Sequence, residues 1–286
     1  MQRNQAANLE SMMQASKKST AKFIAITSGK GGVGKSNISA NLAYSLNQLG
    51  YKVGVFDADI GLANLDLIFG VKTEKNILHA LKGQADFKEV VYEISKGLYL
   101  IPGDSGEEIL KYSASSMLAD FASEAAIWDL FDYVIVDTGA GISTLTQAFL
   151  QASDHIIVIT TPEPSAKADA YAMLKVSSKF TNECMMLVNM ASSANQITQV
   201  FTTISNVAKA NIPNLSLTLL GGFEHNAAVK KAILHRKLIC QSEPHNIFSI
   251  TMQEVAQTLI NKVEHNMLNT PKKSIGSFFK RLLGYL

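Results

Sequence analysis

The segment from Gly29 to Ser36 reads G-K-G-G-V-G-K-S and fits the phosphate-binding loop pattern G-x-x-x-x-G-K-[ST]. Glycines let backbone N–H groups come close to phosphate oxygens, and a helix that begins at about Lys35 points its positive end at the same oxygens. The strand-forming run 23–27 precedes the loop, and a helical stretch over 37–49 follows it. This strand–loop–helix order predicts a nucleoside triphosphate site; the alternative is a glycine-rich turn that binds no nucleotide.

Two side chains of this loop carry charge and coordination chemistry. Lys35 can neutralise the β- and γ-phosphates, and the Ser36 hydroxyl can coordinate Mg²⁺. The loop residues expected to bind the nucleotide are Gly29, Lys30, Gly31, Gly32, Val33, Gly34, Lys35, Ser36 and Asn37.

Strand-like and helical stretches alternate from Ala21 to about Val263. Runs such as 134–136 and 156–159 are apolar on both faces, which is typical of parallel strands that helices cover on both sides. The alternation predicts an α/β fold, a doubly wound and mostly parallel sheet with its ligand at the carboxyl ends of the strands. The expected strands are 22–27, 52–56, 98–101, 133–136, 155–160, 185–189 and 217–220.

The composition of the 286 residues narrows the class of protein. A net charge of +2 gives no electrostatic case for nucleic-acid binding. Cys184 and Cys240 stand far apart and the six histidines are scattered, so neither a disulfide framework nor a zinc site is expected. We find no apolar run of membrane-spanning length and no signal-peptide core. These features favour a protein of the cytoplasm or of a membrane surface.

Lys30, directly after the first glycine, is not required by an ordinary phosphate-binding loop. The form K-G-G-V-G-K-S resembles the deviant Walker A motif of the ParA/MinD ATPase family. In that family the early lysine reaches across a dimer interface to the partner subunit's nucleotide. The resemblance implies an ATPase that uses ATP and Mg²⁺, forms an ATP-dependent homodimer and depends on Lys30 and Lys35 for catalysis. Without the resemblance, Lys30 would be read as a solvated loop residue.

Three aspartates follow strand-like runs and resemble other motifs of the same family. Residues 57–66 match the family pattern D-x-D-I-G-L-x-N-L-D. By resemblance, Asp59 orients the attacking water as a catalytic residue and Asp57 supports hydrated Mg²⁺. Asp137 ends an apolar strand as a Walker B aspartate does and would hold Mg²⁺ through water, while the small residues 138–141 would let this segment shift when the γ-phosphate leaves. The alternative is that these aspartates cap turns or helices.

Two later residues are candidates for contact with the adenine base. Asn189 ends the strand-like run 186–188, where the family places an asparagine against the adenine edge. Glu224 lies in a later loop, next to Phe223, where the family often has a proline. A turn residue is the alternative for Asn189.

Several segments of the chain resemble the flagellar FlhG (FleN) branch of the family more than the MinD branch. Residues 161–165 read T-P-E-P-S and residues 169–172 read D-A-Y-A, as in that branch. Residues 4–10 resemble its D-Q-A-x-x-L-R motif but have Asn4 and Glu10 in place of the acidic and basic residues. The resemblance implies that this leader docks as a helix on an FlhF-type signal-recognition GTPase through Gln5 and Leu9; the alternative is an unstructured tail.

The carboxyl-terminal segment has a helical apolar stripe bordered by positive charge. Lys280 and Arg281 lie off the stripe, and no acidic residue follows Glu264. The stripe predicts a helix that lies on anionic membrane lipids; the alternative is a helix that packs on the protein core. Its apolar members are Ile275, Phe278, Phe279, Leu282, Leu283 and Leu286.

Together these features predict a leader over 1–20, a P-loop ATPase domain over 21–265 and a basic amphipathic tail over 266–286. The expected function is an ATP-dependent dimerising switch that regulates flagellar number and placement, with flagellar switch-complex proteins as further candidate partners. It would cycle between the bacterial cytoplasm and the cytoplasmic face of the inner membrane. A MinD-like division-site ATPase is the nearest alternative, and a ParA-type DNA-segregation protein or a metabolic P-loop enzyme are others.

Overall fold

The computed structural model describes residues 21–59, 65–103, 131–265, 278 and 281–282. The predicted leader, with Gln5 and Leu9, lies outside the described residues. Most of the predicted membrane-binding residues also lie outside them: Ile275, Phe279, Lys280, Leu283 and Leu286.

An eight-stranded sheet forms the centre of the described part, in the order β3-β4-β2-β5-β1-β6-β7-β8. Neighbouring strands are parallel except for β3 and β4, which pair antiparallel at one edge. The predicted mostly parallel sheet is therefore confirmed, and β3 is an addition to it. The strands are β1 Lys22–Ser28, β2 Val53–Ala58, β3 Tyr92–Ser95, β4 Leu98–Ile101, β5 Tyr133–Ala140, β6 His155–Thr160, β7 Glu183–Ala191 and β8 Ser216–Glu224.

Helices cover both faces of this sheet. Alternate residues of β1 point to opposite faces, so that Ile24 and Ile26 join one hydrophobic cluster while Phe23 and Ala25 join two others. A short 3₁₀ helix, Phe87–Val90, lies before β3. The α-helices are α1 Lys35–Gln48, α2 Leu65–Phe69, α3 Ile77–Leu81, α4 Thr144–Ala152, α5 Pro164–Ser177, α6 Ala194–Asn211, α7 Ala227–Leu234, α8 Ile239–Ser242 and α9 Ile247–His265.

Several strands run further at their carboxyl ends than the sequence predicts. Asp57 and Asp137 pair side by side in the β2–β5 ladder, and β5 continues to Ala140 opposite Ser28. The expectation that Asp137 ends its strand is therefore wrong, because ladder pairing with both neighbours keeps the following small residues extended. The consequence is that two carboxylates lie on adjacent central strands at the edge where ligands bind in such sheets.

The described residues of the carboxyl-terminal segment pack on the sheet. The Phe278 ring stacks on the Phe23 ring with centroids 4.0 Å apart, and Leu282 is buried in the same cluster. Arg281 Nη2 lies 3.5 Å from Asp154 Oδ1, and the other oxygen of that carboxylate accepts a hydrogen bond from the Phe23 N–H. At these positions the predicted membrane-facing stripe faces the protein core, as the alternative interpretation of the tail requires.

Across the described ranges, no helix combines the length and apolarity needed to cross a bilayer.

Candidate active site

The phosphate-binding loop joins β1 to α1 at the middle of the sheet. Gly32 and Gly34 have φ angles of 78° and 88°, a left-handed conformation that glycine adopts without a Cβ clash. Val33 is buried between them, and its carbonyl accepts a hydrogen bond of 2.8 Å from Asn189 Nδ2. The predicted helix start at Lys35 is confirmed. The loop therefore leaves glycine backbone facing outward while one apolar residue anchors it.

At two positions of the loop, neighbouring atoms leave no room for a side chain, so only glycine fits. A Cβ at Gly34 would come within 2.5 Å of Asn189 Nδ2, and one at Gly29 would come within 2.2 Å of the Asp169 carbonyl of α5. The loop is thus clamped from β7 on one side and from α5 on the other. Such clamping keeps its N–H groups in a fixed arrangement before any ligand binds.

Lys35 lies among carboxylates rather than in solvent. Its side chain is 7% exposed, and Nζ lies 3.4 Å from Asp137 Oδ1 and 3.6 Å from Asp59 Oδ2. The three residues come from α1, β5 and the loop after β2. The fold thus brings two of the predicted catalytic residues, Lys35 and Asp59, beside Asp137, a predicted Mg²⁺ residue, whereas the third predicted catalytic residue, Lys30, pairs with Glu163. The Lys35 ammonium offsets part of the negative charge of this cluster.

Asp137 is completely buried and accepts more than one hydrogen bond. The Ser39 hydroxyl donates to Oδ1 at 2.9 Å and Lys35 Nζ lies 3.4 Å from the same oxygen, while Ser36 is near enough to lower the pKa of this carboxyl group. Burial raises the pKa of Asp137, and Lys35 and the two serines oppose that rise. In the described part of the chain, Oδ2 is buried without a hydrogen-bond partner. An unpaired buried carboxylate oxygen beside Ser36 fits the hard oxygen ligands that Mg²⁺ or its waters require.

Asp57 is a second carboxyl group with a raised pKa next to the loop. Burial and the neighbouring Asp137 raise its pKa to about 7, although the backbone N–H groups of Leu65 and Asp59 donate to its two oxygens at 3.2 Å. A divalent cation near these carboxylates would favour their ionised forms. The residues present therefore fit a bound magnesium nucleotide, with Ser36, Asp57 and Asp137 as its expected oxygen donors.

Asp59 extends from this cluster toward the small residues of β5. A Cβ at Gly139 would lie 3.3 Å from Asp59 Oδ1, so a glycine there leaves room for the carboxylate. The Asp59 carboxylate lies next to the Lys35 ammonium. Because Asp59 is only partly buried, a water molecule has room beside it. This placement agrees with the predicted role in orienting water, which stays a prediction.

Lys30 points away from the carboxylate cluster. Its Nζ lies 2.5 Å from Glu163 Oε2 and 2.9 Å from Ser165 Oγ, at the beginning of α5. Sequence reasoning missed both of these partners, although it singled out the segment that contains them as a family signature. It also missed Ser39, whose position one turn after Lys35 was the available signal.

The two adenine candidates lie in different surroundings. Asn189 is buried against the loop, whereas Glu224 is exposed at the end of the edge strand β8, opposite Ala191. Glu224 lines a cavity of about 280 Å³ together with Phe223 and Phe248. The bond to Val33 gives Asn189 a role in holding the loop that the sequence did not suggest, and adenine contact by either residue stays a prediction.

The sequence is similar to a protein-family model and to proteins of known role. A ParA family model described as "NUBPL iron-transfer P-loop NTPase" matches residues 19–260. The chain is 52% identical over 291 residues to the flagellum site-determining protein YlxH of Helicobacter pylori, and the match covers 99% of each chain. It is 29% identical over 249 residues to the antiactivator FleN of Pseudomonas aeruginosa, covering 86% of this chain and 89% of that one.

A solved structure shows the same fold. A chain of the MinC:MinD cell division protein complex of Aquifex aeolicus is 25% identical, with a TM-score of 0.66, and the match covers 84% of this chain and 96% of that chain. The predicted relationship to ParA and MinD proteins, drawn from the loop and the aspartate motif, is confirmed.

Proposed function

This chain belongs to the ParA/MinD family of P-loop NTPases, and on that basis we propose that it is an ATPase switch that regulates the number and placement of flagella. The observation that carries the proposal is the 52% identity to a flagellum site-determining protein over 99% of both chains. A MinD-type relative matches over a shorter stretch, with 35% identity to the Thermotoga maritima septum site-determining protein over 55% of this chain. MinD proteins that match over most of this chain do so at lower identity, as in the 29% identity over 91% of this chain to the Bacillus subtilis septum site-determining protein. The higher identity therefore favours the flagellar role over the division-site role.

The chemistry is hydrolysis of ATP to ADP and phosphate. Lys35 binds the β- and γ-phosphates, and the backbone of residues 29–34 surrounds them. Ser36, together with Asp57 and Asp137 through water, would hold Mg²⁺, which would supply positive charge opposite the phosphates. Asp59 holds a water molecule for attack on the γ-phosphate. The buried, partly unpaired carboxylates and the fixed loop support this division of roles.

Dimerisation with ATP completes the site. Lys30 lies on an exposed edge of the loop with its side chain 38% exposed, from where it can leave its own chain and reach a partner subunit's nucleotide. We expect gel filtration with light scattering to show a monomer with ADP and a dimer with ATP, most clearly for Asp59→Ala, which slows turnover. A monomer under both conditions would contradict the switch.

The flagellar role has a direct cellular test. A strain that carries Lys35→Ala in place of the parent protein should assemble an abnormal number of flagella, or assemble them at abnormal sites, when cells are counted by electron microscopy. Normal flagella together with misplaced division septa would instead favour the division-site alternative.

The leader over 1–20 supplies a proposed contact with an FlhF-type GTPase. A peptide of these residues should stimulate the GTPase activity of the cognate protein, and substitution of Gln5 and Leu9 should reduce that effect. A peptide without any effect would remove this partner and leave the ATPase proposal intact.

The tail over 266–286 supplies proposed attachment to the cytoplasmic face of the inner membrane. Because Phe278 and Leu282 are buried on the sheet, attachment requires the tail to leave that position. Dimerisation then brings two tails to one membrane and strengthens binding by avidity. We expect ATP-dependent sedimentation with anionic vesicles that is weakened by salt and by Phe279→Glu; equal binding to neutral vesicles would contradict it.

Two other classes of protein fit the chain less well. A DNA-segregation ATPase needs a basic surface, and the net charge is only +2. Iron transfer, named in the family description, needs accessible metal ligands, whereas both cysteines are buried and burial raises the pKa of Cys184 to about 12. Retention on DNA at physiological salt would favour the first class over the flagellar role.

A further inference from the structure

The amino-terminal end of α5 holds the Lys30 ammonium in a two-point contact. Glu163 Oε2 and Ser165 Oγ both lie within hydrogen-bond distance of Nζ. The contact is made within one chain, across a sequence separation of 133 residues from Lys30 to Glu163. A flexible lysine on a glycine-rich loop is thus fixed against its own protomer.

The local backbone explains why this contact forms. Gly29 packs so closely on the Asp169 carbonyl of α5 that no side chain fits between them, and this brings the next residue beside the start of that helix. Glu163 is the N-cap residue of α5, yet its side chain makes no capping hydrogen bond to its own helix. The carboxylate is therefore available to the lysine.

We propose that Glu163, supported by Ser165, is a positioning residue that retains Lys30 on its own protomer and so opposes ATP-dependent dimerisation. This inference rests on the proposed function, in which Lys30 must leave its chain to reach the partner subunit's nucleotide. Reaching a phosphate on the partner subunit moves the Lys30 ammonium away from its own Glu163 and Ser165. On this proposal the ion pair breaks when the dimer forms.

The ion pair is suited to such a role because it is weak enough to exchange. The two side chains are 38% and 64% exposed, so water and salt screen their attraction. Loss of an exposed pair of this kind changes an equilibrium by about fivefold or less. Glu163 would thus adjust the ATP concentration at which dimers form without preventing them.

The test compares dimerisation of Glu163→Gln with the parent protein at several concentrations of a slowly hydrolysed ATP analogue with Mg²⁺. We expect a dimer dissociation constant about threefold to fivefold lower in the variant at low salt, and a smaller difference at high salt. Glu254→Gln, an exposed carboxylate on α9, is the control for the change in net charge. Equal or weaker dimerisation of Glu163→Gln than of the control would overturn the proposal.

A double-mutant cycle distinguishes the retention of Lys30 by Glu163 from the proposed role of Lys30 across the dimer interface. In a Lys30→Ala background, Glu163→Gln should have no effect on dimerisation, because the group it retains is gone. If Lys30→Ala alone dimerises like the parent, the role of Lys30 across the interface fails. If Lys30→Ala loses dimers while Glu163→Gln changes nothing, only the retention by Glu163 fails. Unchanged thermal midpoints exclude a general loss of structure.

Discussion

Replacement of Asp57 by Asn removes an unfavourable buried charge beside the phosphate-binding loop. Burial and Asp137 raise the pKa of Asp57 from 3.8 to about 7 in the folded protein. A carboxyl group with a raised pKa binds its proton more tightly in the folded state than in the unfolded state. Its contribution to stability therefore falls as pH rises from 3.8 to 7 and is constant above that range.

The size of this effect follows from the two pKa values. Between pH 5 and pH 8, ionisation of Asp57 should cost the ligand-free parent about 2 to 3 kcal/mol of unfolding free energy. An Asn side chain does not ionise, but its amide loses one of the two backbone hydrogen bonds, a constant cost of about 1 kcal/mol. The difference between variant and parent should thus move in favour of Asp57→Asn by about 2 to 3 kcal/mol over this range.

Urea unfolding at pH 5, 6, 7 and 8, with a chelator present, measures this difference. Glu254→Gln, an exposed carboxylate, serves as the control and should show no such trend. With magnesium nucleotide bound, the trend for the parent should shrink, because a nearby cation favours the carboxylate. A difference between Asp57→Asn and parent that stays flat with pH in the chelated samples would refute the reasoning.

Three further substitutions test other parts of the structure. Lys35→Ala should lose ATP binding by more than about tenfold in calorimetry, since it removes the charge facing the phosphates; ATP-dependent dimers in this variant would contradict the site assignment. Asn189→Ala should weaken ATP binding by about fivefold through the lost bond to Val33, measured the same way, while Asn211→Ala on the exposed end of α6 should not. Phe278→Ala should lower the unfolding free energy by about 3 kcal/mol, because the ring is fully buried on Phe23, and an unchanged urea midpoint would show that the tail does not pack there.

The sequence predicted the sheet because local signals repeat along it. Apolar runs such as 133–136 and 155–160 lie in strands with the expected starts, and the loop signature fixed the start of α1 at Lys35. The short strand β3 was missed because residues 92–95 lack an apolar run and pair only with β4 at the edge. Strand ends were predicted too early for a different reason: ladder pairing with neighbouring strands keeps polar residues such as Asp137 extended, and the local sequence does not show which strands will be neighbours.

Only the parts of the site that lie within short sequence motifs were predictable. The loop, Lys35 and the aspartates are recognisable from spacing, and the fold brings Lys35, Asp59 and Asp137 together. Contacts between distant segments were not recognisable, since nothing in the local sequence links Asn189 to the Val33 carbonyl or Glu163 to Lys30. Likewise, the apolar stripe bordered by basic residues in the tail predicts a helix. The pattern does not decide whether the apolar face of that helix binds a lipid surface or packs on core residues such as Phe23.

The stacking of Phe278 on Phe23 bears on how the chain folds as it is synthesised. Phe23 belongs to β1, which is made first among the strands, whereas Phe278 is made after every strand of the sheet. The apolar surface around Phe23 therefore stays uncovered while the other strands assemble. During that period a chaperone, or a neighbouring nascent chain, has access to a patch that the finished protein covers with its own tail.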